Sequence, residues 1–179
     1  MFNHMDTSDI RIGMGTDVHA FAPGRNLVLG GVKIEHDQGL AGHSDADVLI
    51  HAVCDAILGA AGLGDIGDLF PDTDPAYKDI DSRILLQTCA QKLAKTGYRI
   101  LNIDCTVFAQ VPKLGHKKQE MAQSIARTLA LSPRRVNVKA TTTEHLGFIG
   151  RKEGIAAQAV VLIAAQTHPN ITKPFIRGT

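Results

Sequence analysis

Two short segments of this chain carry metal-ligand side chains on different backbone periods, and the fold has to bring them to one place. Asp17-Val18-His19 lies in a stretch, Arg11–Val18, that reads as a strand opened by glycines. On a strand, positions i and i+2 share a face, so Asp17 and His19 point the same way. The second segment, His43 to His51, packs two histidines, two carboxylates and a serine into nine positions. Ser44-x-x-Asp47 resembles a capping box with Asp in place of Glu, which predicts a helix from Ser44 to about Ala61. On that helix Asp47, His51 and Asp55 share a stripe. A carboxylate and two imidazoles with a fourth position open form the ligand set of a catalytic zinc site, with bonds of roughly 2.0–2.2 Å. Asp17, His19 and His51 are the candidate ligands. Cys54, one turn beyond His51, is a rival with apolar neighbours, and a thiolate would favour a closed structural site.

The rest of the chain reads as strands placed early, centrally and late around three helices, an α+β or mixed α/β order. Asn26–Leu29 and Val32–His36 flank Gly30-Gly31, a hairpin signal. Residues 62–80 form a Gly-, Asp- and Pro-rich segment, and a loop that long inside a domain is usually functional or mobile. Asp81 or Ser82 caps a second helix that ends before Gly97. Arg99–Ala109 reads as a strand and residues near His116–Ala130 as a third helix, stopped by Ser132-Pro133. Val136–Thr141 is another strand, and Gly147–Gly154 a glycine-punctuated loop. Ile155–Ala165 is apolar without alternation. As a strand it would be buried on both faces, one under helices and the other against something outside the subunit. An alanine-rich helix is the competing reading, which periodicity leaves open.

Composition removes several function classes. At 179 residues the chain fits one domain with a sizeable core, and Lys plus Arg (19) nearly equals Asp plus Glu (18). No large net charge attracts nucleic acid or a membrane. With no Trp and two Tyr there is little material for base stacking. Cys54, Cys89 and Cys105 sit in apolar periodic segments, as reduced buried thiols do, which favours a reducing compartment. The N-terminus has no apolar core for secretion. Ile155–Ala165 is too short to span a bilayer and is broken by Gln158. A cytoplasmic location is expected. Residues 1–10 read as an extension, 11–165 as the domain and 166–179 as a flexible tail.

Three further clusters carry chemistry. At a helix start, His43, Ser44 and free backbone N–H groups favour an anion such as phosphate. Asp65, Asp68, Asp72 and Asp74 fall within ten residues without the spacing of an EF-hand. They suit hydrogen bonds from sugar or polyol hydroxyls, or simply a solvated loop. Thr141, Thr142, Thr143 and Glu144 follow a strand directly and suit phosphate oxygens and a hard cation such as Mg²⁺. Lys113 and Arg151 supply positive charge. Each cluster is ordinary alone. Together they describe a metalloenzyme acting on a polyphosphate that carries hydroxyls.

At this point the motifs resemble those of the 2-C-methyl-D-erythritol 2,4-cyclodiphosphate synthases, enzymes of the non-mevalonate route to isoprenoid precursors. The similarity runs from about Arg11 to Ala165. It rests on Asp17-Val18-His19, His43–Val48, Asp65–Asp74, Ala109–Lys113, Thr141–Glu144 and Gly147–Arg151, in that order. The resemblance implies that 4-diphosphocytidyl-2-C-methyl-D-erythritol 2-phosphate is cyclised with loss of CMP. It implies Zn²⁺ on Asp17, His19 and His51, and Mg²⁺ or Mn²⁺ on Glu144. His43 and Thr142 would stabilise the transition state, and Ser44 would position the attacking phosphate. Substrate would also meet Val18, Asp65, Ile66, Gly67, Phe70, Pro71, Asp72, Thr73 and Asp74. The cytosine would lie within Ala109, Gln110, Val111, Pro112, Lys113, Leu114 and Gly115, with Thr141, Thr143, Phe148 and Arg151 completing the site. The implied architecture is one mixed sheet of four or more strands, covered by helices on one face. Three such sheets pack about a threefold axis, with active sites between subunits. Family members commonly carry Glu near Gln158 and Phe where this chain has Thr16. That departure leaves Arg151 less compensated, so an anion, such as an isoprenoid diphosphate, is expected in the axial cavity.

Overall fold

β1 (Ile10–Ala22) shows how the sequence positions the site. Its faces differ as alternation predicts: Gly13, Gly15, Asp17 and His19 turn inward, while Ile12, Met14, Thr16 and Val18 turn out. Helix α1 (Val48–Ala61) lies on the inward face. A Cβ on Gly13 would stand 2.0 Å from the Ala56 carbonyl oxygen, and one on Gly15 2.1 Å from that of Ala52. Only glycine lets the two backbones approach this closely, and the approach sets α1 beside Asp17 and His19. The computed structural model describes residues 9–166. The expectations for the remaining N-terminal extension and for the C-terminal tail lie outside these residues.

β2 (Leu27–Leu29) and β3 (Val32–Ile34) form the expected hairpin. Gly30 and Gly31 both adopt left-handed backbone (φ 61° and 71°), which a two-residue turn of this kind requires. Then come β4 (Gly39–Leu40), α1, a single turn α2 (Ile66–Leu69), α3 (Ser82–Lys95), β5 (Tyr98–Phe108), α4 (Lys118–Thr128), β6 (Val136–Thr141), α5 (Gly147–Gly150) and β7 (Gly154–Ala165). The five-stranded sheet has the order β4-β1-β7-β5-β6. β7 runs antiparallel to both β1 and β5, whereas β5 and β6 are parallel. The C-terminal ends of β1, β5 and β6 therefore meet at one end of the sheet. Helices α1, α3 and α4 cover one face, giving the mixed α/β architecture expected. On the other face Ile12 is 69% exposed, Met14 66%, Val18 52% and Val160 36%. Among the described residues no helix is long and apolar enough to cross a membrane.

Several expectations are corrected. Helix α1 is capped by Asp47, not Ser44. Asp47 Oδ1 accepts the N–H groups of Ile50 (3.0 Å) and Gly30 (2.8 Å), and Oδ2 that of Gly31 (2.6 Å). One carboxylate thus ties the hairpin turn to the helix start. Burial pushes it up to about 6 against the pull of those three donors. As a cap, Asp47 leaves the helical screw, so the wet stripe is His51, Asp55 and Gly59, with nearly every other residue of α1 buried. The 62–80 segment is more ordered than a loop. It holds α2 and a 3-10 turn (Pro75–Tyr77), capped by the side chains of Asp65 and Asp74. Gly147–Gly150 forms a helical turn inside the expected loop. Ile155–Ala165 is a strand, settled by its ladders to β1 and β5. Ala157, Ala159, Val161 and Ile163 are buried under helices, while Gln158 and Val160 stand exposed. Cys54, Cys89 and Cys105 are free and buried, as expected.

Candidate metal centre and adjoining pockets

Asp17 Oδ2 lies 2.9 Å from His19 Nε2 and 3.0 Å from His51 Nδ1, and the two nitrogens are 3.1 Å apart. Three such atoms at the corners of so small a triangle can share one positive centre. A tetrahedral ion with bonds of about 2.0–2.1 Å spreads its ligands roughly 3.3 Å apart, so this triangle need open only slightly. The donor set fits a metal ion, and Asp17, His19 and His51 form the one such group of three among the described residues. Burial alone would raise the Asp17 carboxyl, but the His19 and His51 imidazoles beside it overcome that and hold the group well below the usual carboxylate range. Burial opposes the charged form of His19, and Asp17 more than offsets that, so its pKa moves up. Cys54 takes no part in the group.

The ligands are held from behind. The Ala41 backbone hydrogen-bonds His19. His51 Nε2 lies 3.0 Å from Ser82 Oγ and 3.1 Å from Ser44 Oγ. Ser82 donates to Asp45 Oδ1 at 2.5 Å, and its backbone N–H reaches Asp45 Oδ2 at 3.2 Å. Ser82 and Asp45 were not among the sequence candidates. Ser82 lies 31 residues from His51 in the chain, and nothing local marks it.

A pocket of about 270 Å³ opens on the triad and is lined by His19, His43, Ser44, His51, Ile66, Gly67, Phe70 and Asp72 among others. Here the structure brings the expected residues together. His43 Nε2 bonds the Asp74 carbonyl (2.9 Å), and the Asp79 N–H reaches the His43 carbonyl (2.8 Å), so the 62–80 segment is laced to the 43–45 segment. Asp55, one turn after His51, accepts the Ile66 N–H at 2.8 Å and anchors the start of α2. Asp65 accepts the Asp68 N–H. Pro71 and Thr73 are exposed beside Asp72. Val18 points to the opposite face of β1, leaving its N–H bonded to Asp17 Oδ1.

The other candidates gather elsewhere. Ala109, Pro112, Lys113, Leu114, Gly115, Thr141 and Thr142 line a second pocket of about 280 Å³, with Lys118 an addition the sequence reading missed. Gln110 is buried and accepts the His145 N–H (3.2 Å), so it braces this pocket from inside. Val111 is half-buried beside it. Thr142 Oγ1 donates to Glu144 Oε1 at 2.8 Å, and Thr143 Oγ1 to the Leu146 carbonyl at 2.7 Å. Glu144 and His145 both hold left-handed backbone (φ 50° and 64°), a strained turn that throws the Glu144 carboxylate outward. Val18, Ala156, Phe108 and Thr141 share one level across β1, β7, β5 and β6. The strands that carry the two pockets thus end at the same end of the sheet, three strand spacings or about 14 Å apart at this level. Phe148 is exposed on α5, and Arg151 makes a two-bond pair with Glu153 at 2.8 and 3.1 Å. Arg151, expected to be less compensated for want of a Glu near 158, therefore has a carboxylate two residues away.

Strand β1 and helix α1 thus bring a carboxylate and two imidazoles to one open pocket. A model of the YgbB family matches residues 10–164, and the chain belongs to that family. The 2-C-methyl-D-erythritol 2,4-cyclodiphosphate synthase of Syntrophomonas wolfei is 60% identical over 154 residues, covering 86% of this chain and 98% of that protein. The protein of the same name from Ralstonia pickettii is 57% identical over 159 residues, 89% and 95% of the two chains. Among solved structures, the bifunctional IspDF from Campylobacter jejuni superposes with a TM-score of 0.85 at 53% identity over 88% of this chain. This chain spans 42% of that bifunctional protein. The CDP complex of Plasmodium falciparum IspF superposes with a TM-score of 0.78 at 36% identity, covering 89% of this chain and 98% of that one. The resemblance read from the motifs is borne out.

Proposed function

We propose that the chain converts 4-diphosphocytidyl-2-C-methyl-D-erythritol 2-phosphate to 2-C-methyl-D-erythritol 2,4-cyclodiphosphate and CMP, a step of the non-mevalonate isoprenoid pathway. The observation that carries the reading is the convergence of Asp17, His19 and His51 on the pocket that also holds His43, Ser44 and Asp72. Asp17, His19 and His51 are the zinc ligands, and Zn²⁺ bound there supplies Lewis-acid polarisation of the β-phosphate. Glu144 is the ligand for Mg²⁺ or Mn²⁺, a hard cation suited to diphosphate oxygens.

An oxygen of the 2-phosphate forms the new bond to the β-phosphorus, and the bridge to the α-phosphate breaks as CMP leaves. No water is deprotonated, so the protein's work is to fold the substrate with nucleophile and leaving group in line. His43 and Thr142 stabilise the transition state, Thr142 by turning its hydroxyl from Glu144 to the substrate. Ser44 orients the attacking phosphate. The carboxylates of Asp65 and Asp72 accept bonds from the erythritol hydroxyls. Residues 109–115 frame the cytosine, with Lys113 and Lys118 near its phosphates.

The chain acts as a homotrimer whose bare sheet faces pack about the axis, which would cover Ile12, Met14 and Val160. One subunit's metal pocket then faces a neighbour's second pocket. The domain occupies residues 11–165, and the protein works in the cytoplasm. An anion, such as an isoprenoid diphosphate, binds in the axial cavity by drawing Arg151 away from Glu153. Incubation with substrate and Mg²⁺, followed by phosphorus NMR, tests the activity. Cyclic diphosphate with stoichiometric CMP is expected. Inorganic phosphate would make the chain a phosphoesterase, and no change in zinc-loaded protein would make it a binding protein.

A further inference from the structure

We propose that Asp45 and Ser82 act as one positioning unit that fixes the tautomer of His51, and so presents its Nδ1 lone pair to the metal. This rests on the reading of Asp17, His19 and His51 as the metal centre. Ser82 meets the triad only at His51 Nε2, behind the ligating edge of the ring, and Asp45 does not meet it at all. Neither lines the pocket that opens on the triad, so both are positioning residues.

The assignment of protons follows from what each group can do. An ionised carboxylate only accepts. Asp45 takes both the backbone N–H and the hydroxyl proton of Ser82, which commits that hydroxyl's single proton away from His51. Toward His51 Nε2, 3.0 Å off, Ser82 Oγ can offer only a lone pair. A bare Nε2 could accept the Ser44 hydroxyl, but toward Ser82 Oγ, the nearer and fully buried oxygen, it would set lone pair against lone pair where water cannot relieve it. A protonated Nε2 satisfies everything. It donates to Ser82 and shares that bond with Ser44 Oγ at 3.1 Å, while the Ser44 hydroxyl, 3.3 Å from Ser82 Oγ, donates onward. Neutral His51 carries one ring proton, so Nδ1 is then bare and faces Asp17 Oδ2 and His19 Nε2.

The unit is itself anchored. The Asp45 N–H bonds the Ile80 carbonyl at 3.0 Å, and the Asp79 N–H bonds the His43 carbonyl at 2.8 Å. Residues 43–45 and 79–82 are thereby strapped together on both sides of the carboxylate. A partner behind a ligating histidine that sets its tautomer and ring angle typically changes metal affinity by about 10–100-fold.

The test uses the full-length, zinc-loaded protein with two readouts that do not involve turnover. Long-range proton–nitrogen NMR on histidine-labelled protein should show zinc on His51 Nδ1 and a slowly exchanging proton on Nε2. Competition with a chromophoric chelator should show zinc held about 10–100-fold more weakly in Ser82→Ala and in Asp45→Ala. The double variant should be no worse than the poorer single one, because the two residues act in series. Asp81→Ala, which removes the α3 cap but leaves the unit intact, should hold zinc like wild type. Zinc on Nε2, affinity in both single variants within about twofold of wild type, or equal weakening by Asp81→Ala would each overturn the proposal. Failure of wild type to make the cyclic diphosphate would break the functional reading and leave both readouts standing.

Discussion

In the pocket beside β1 the two ligating histidines are braced by groups from other segments, whereas in the pocket beside β6 the working side chains rest on their own turn. His51 is backed by Ser44, Ser82 and Asp45, and His19 by the Ala41 backbone. Thr142 and Glu144 bond chiefly to each other, the first half-buried and the second exposed. The first arrangement can hold an ion within a single chain. The second presents hydroxyls, a carboxylate and two lysines outward, toward something the chain does not supply. The difference teaches that the site is finished at one end and left open at the other, as a site shared between subunits would be.

The sharpest way to break the comparison is to remove a ligand. His51→Ala should abolish zinc binding and lower product formation on the order of 10³-fold or more, read by zinc content and CMP release. Its fold should persist, because His51 lies on the only wet stripe of α1. Next in size is Gly15→Ala. The added Cβ would meet the Ala52 carbonyl at 2.1 Å, so α1 must lift from β1. Chemical denaturation should show a loss of at least about 3 kcal/mol, with zinc stoichiometry falling alongside.

Asp47 sharpens the comparison from behind the finished pocket. Asp47→Ala strands three N–H donors and should cost about 2–4 kcal/mol in denaturant melts. The sign of its pH effect follows from burial, which raises the folded carboxyl from 3.8 to about 6. Its contribution is full below pH about 4 and is lost as pH rises through about 6. Asp47→Asn should flatten that part of the stability profile. The smallest effect belongs to the open pocket. Lys113→Ala should raise KM about tenfold, roughly 1.4 kcal/mol, and leave zinc affinity unchanged. A matching loss of zinc would erase the distinction between the pockets.

What the sequence revealed follows the same division. Asp17, His19 and His51 were legible because each sits on a regular element whose period sets its direction. The hairpin was legible because Gly30-Gly31 states its turn chemistry locally. The helix cap was not: Ser44 and Asp47 both suit the role, and the choice is made by N–H groups of Gly30 and Gly31, 17 and 16 residues from Asp47. The Ala-rich β7 could be read either way until β1 and β5 enclosed it. Ser82 was invisible for the same reason, and so was the left-handed turn at Glu144-His145, where neither residue advertises positive φ.

Complementation decides whether the metal pocket of one subunit works with the second pocket of its neighbour. His51→Ala and a Thr142→Ala/Glu144→Ala double variant, each inactive alone, are co-expressed with different tags, and only doubly tagged trimers are kept. In a ring of three, every such mixed trimer contains one site with both halves intact, whichever variant is in excess. CMP release should therefore return to about one third of the wild-type rate. Mixed trimers as inactive as their parents would show that both pockets serve within one subunit, and would contradict the account.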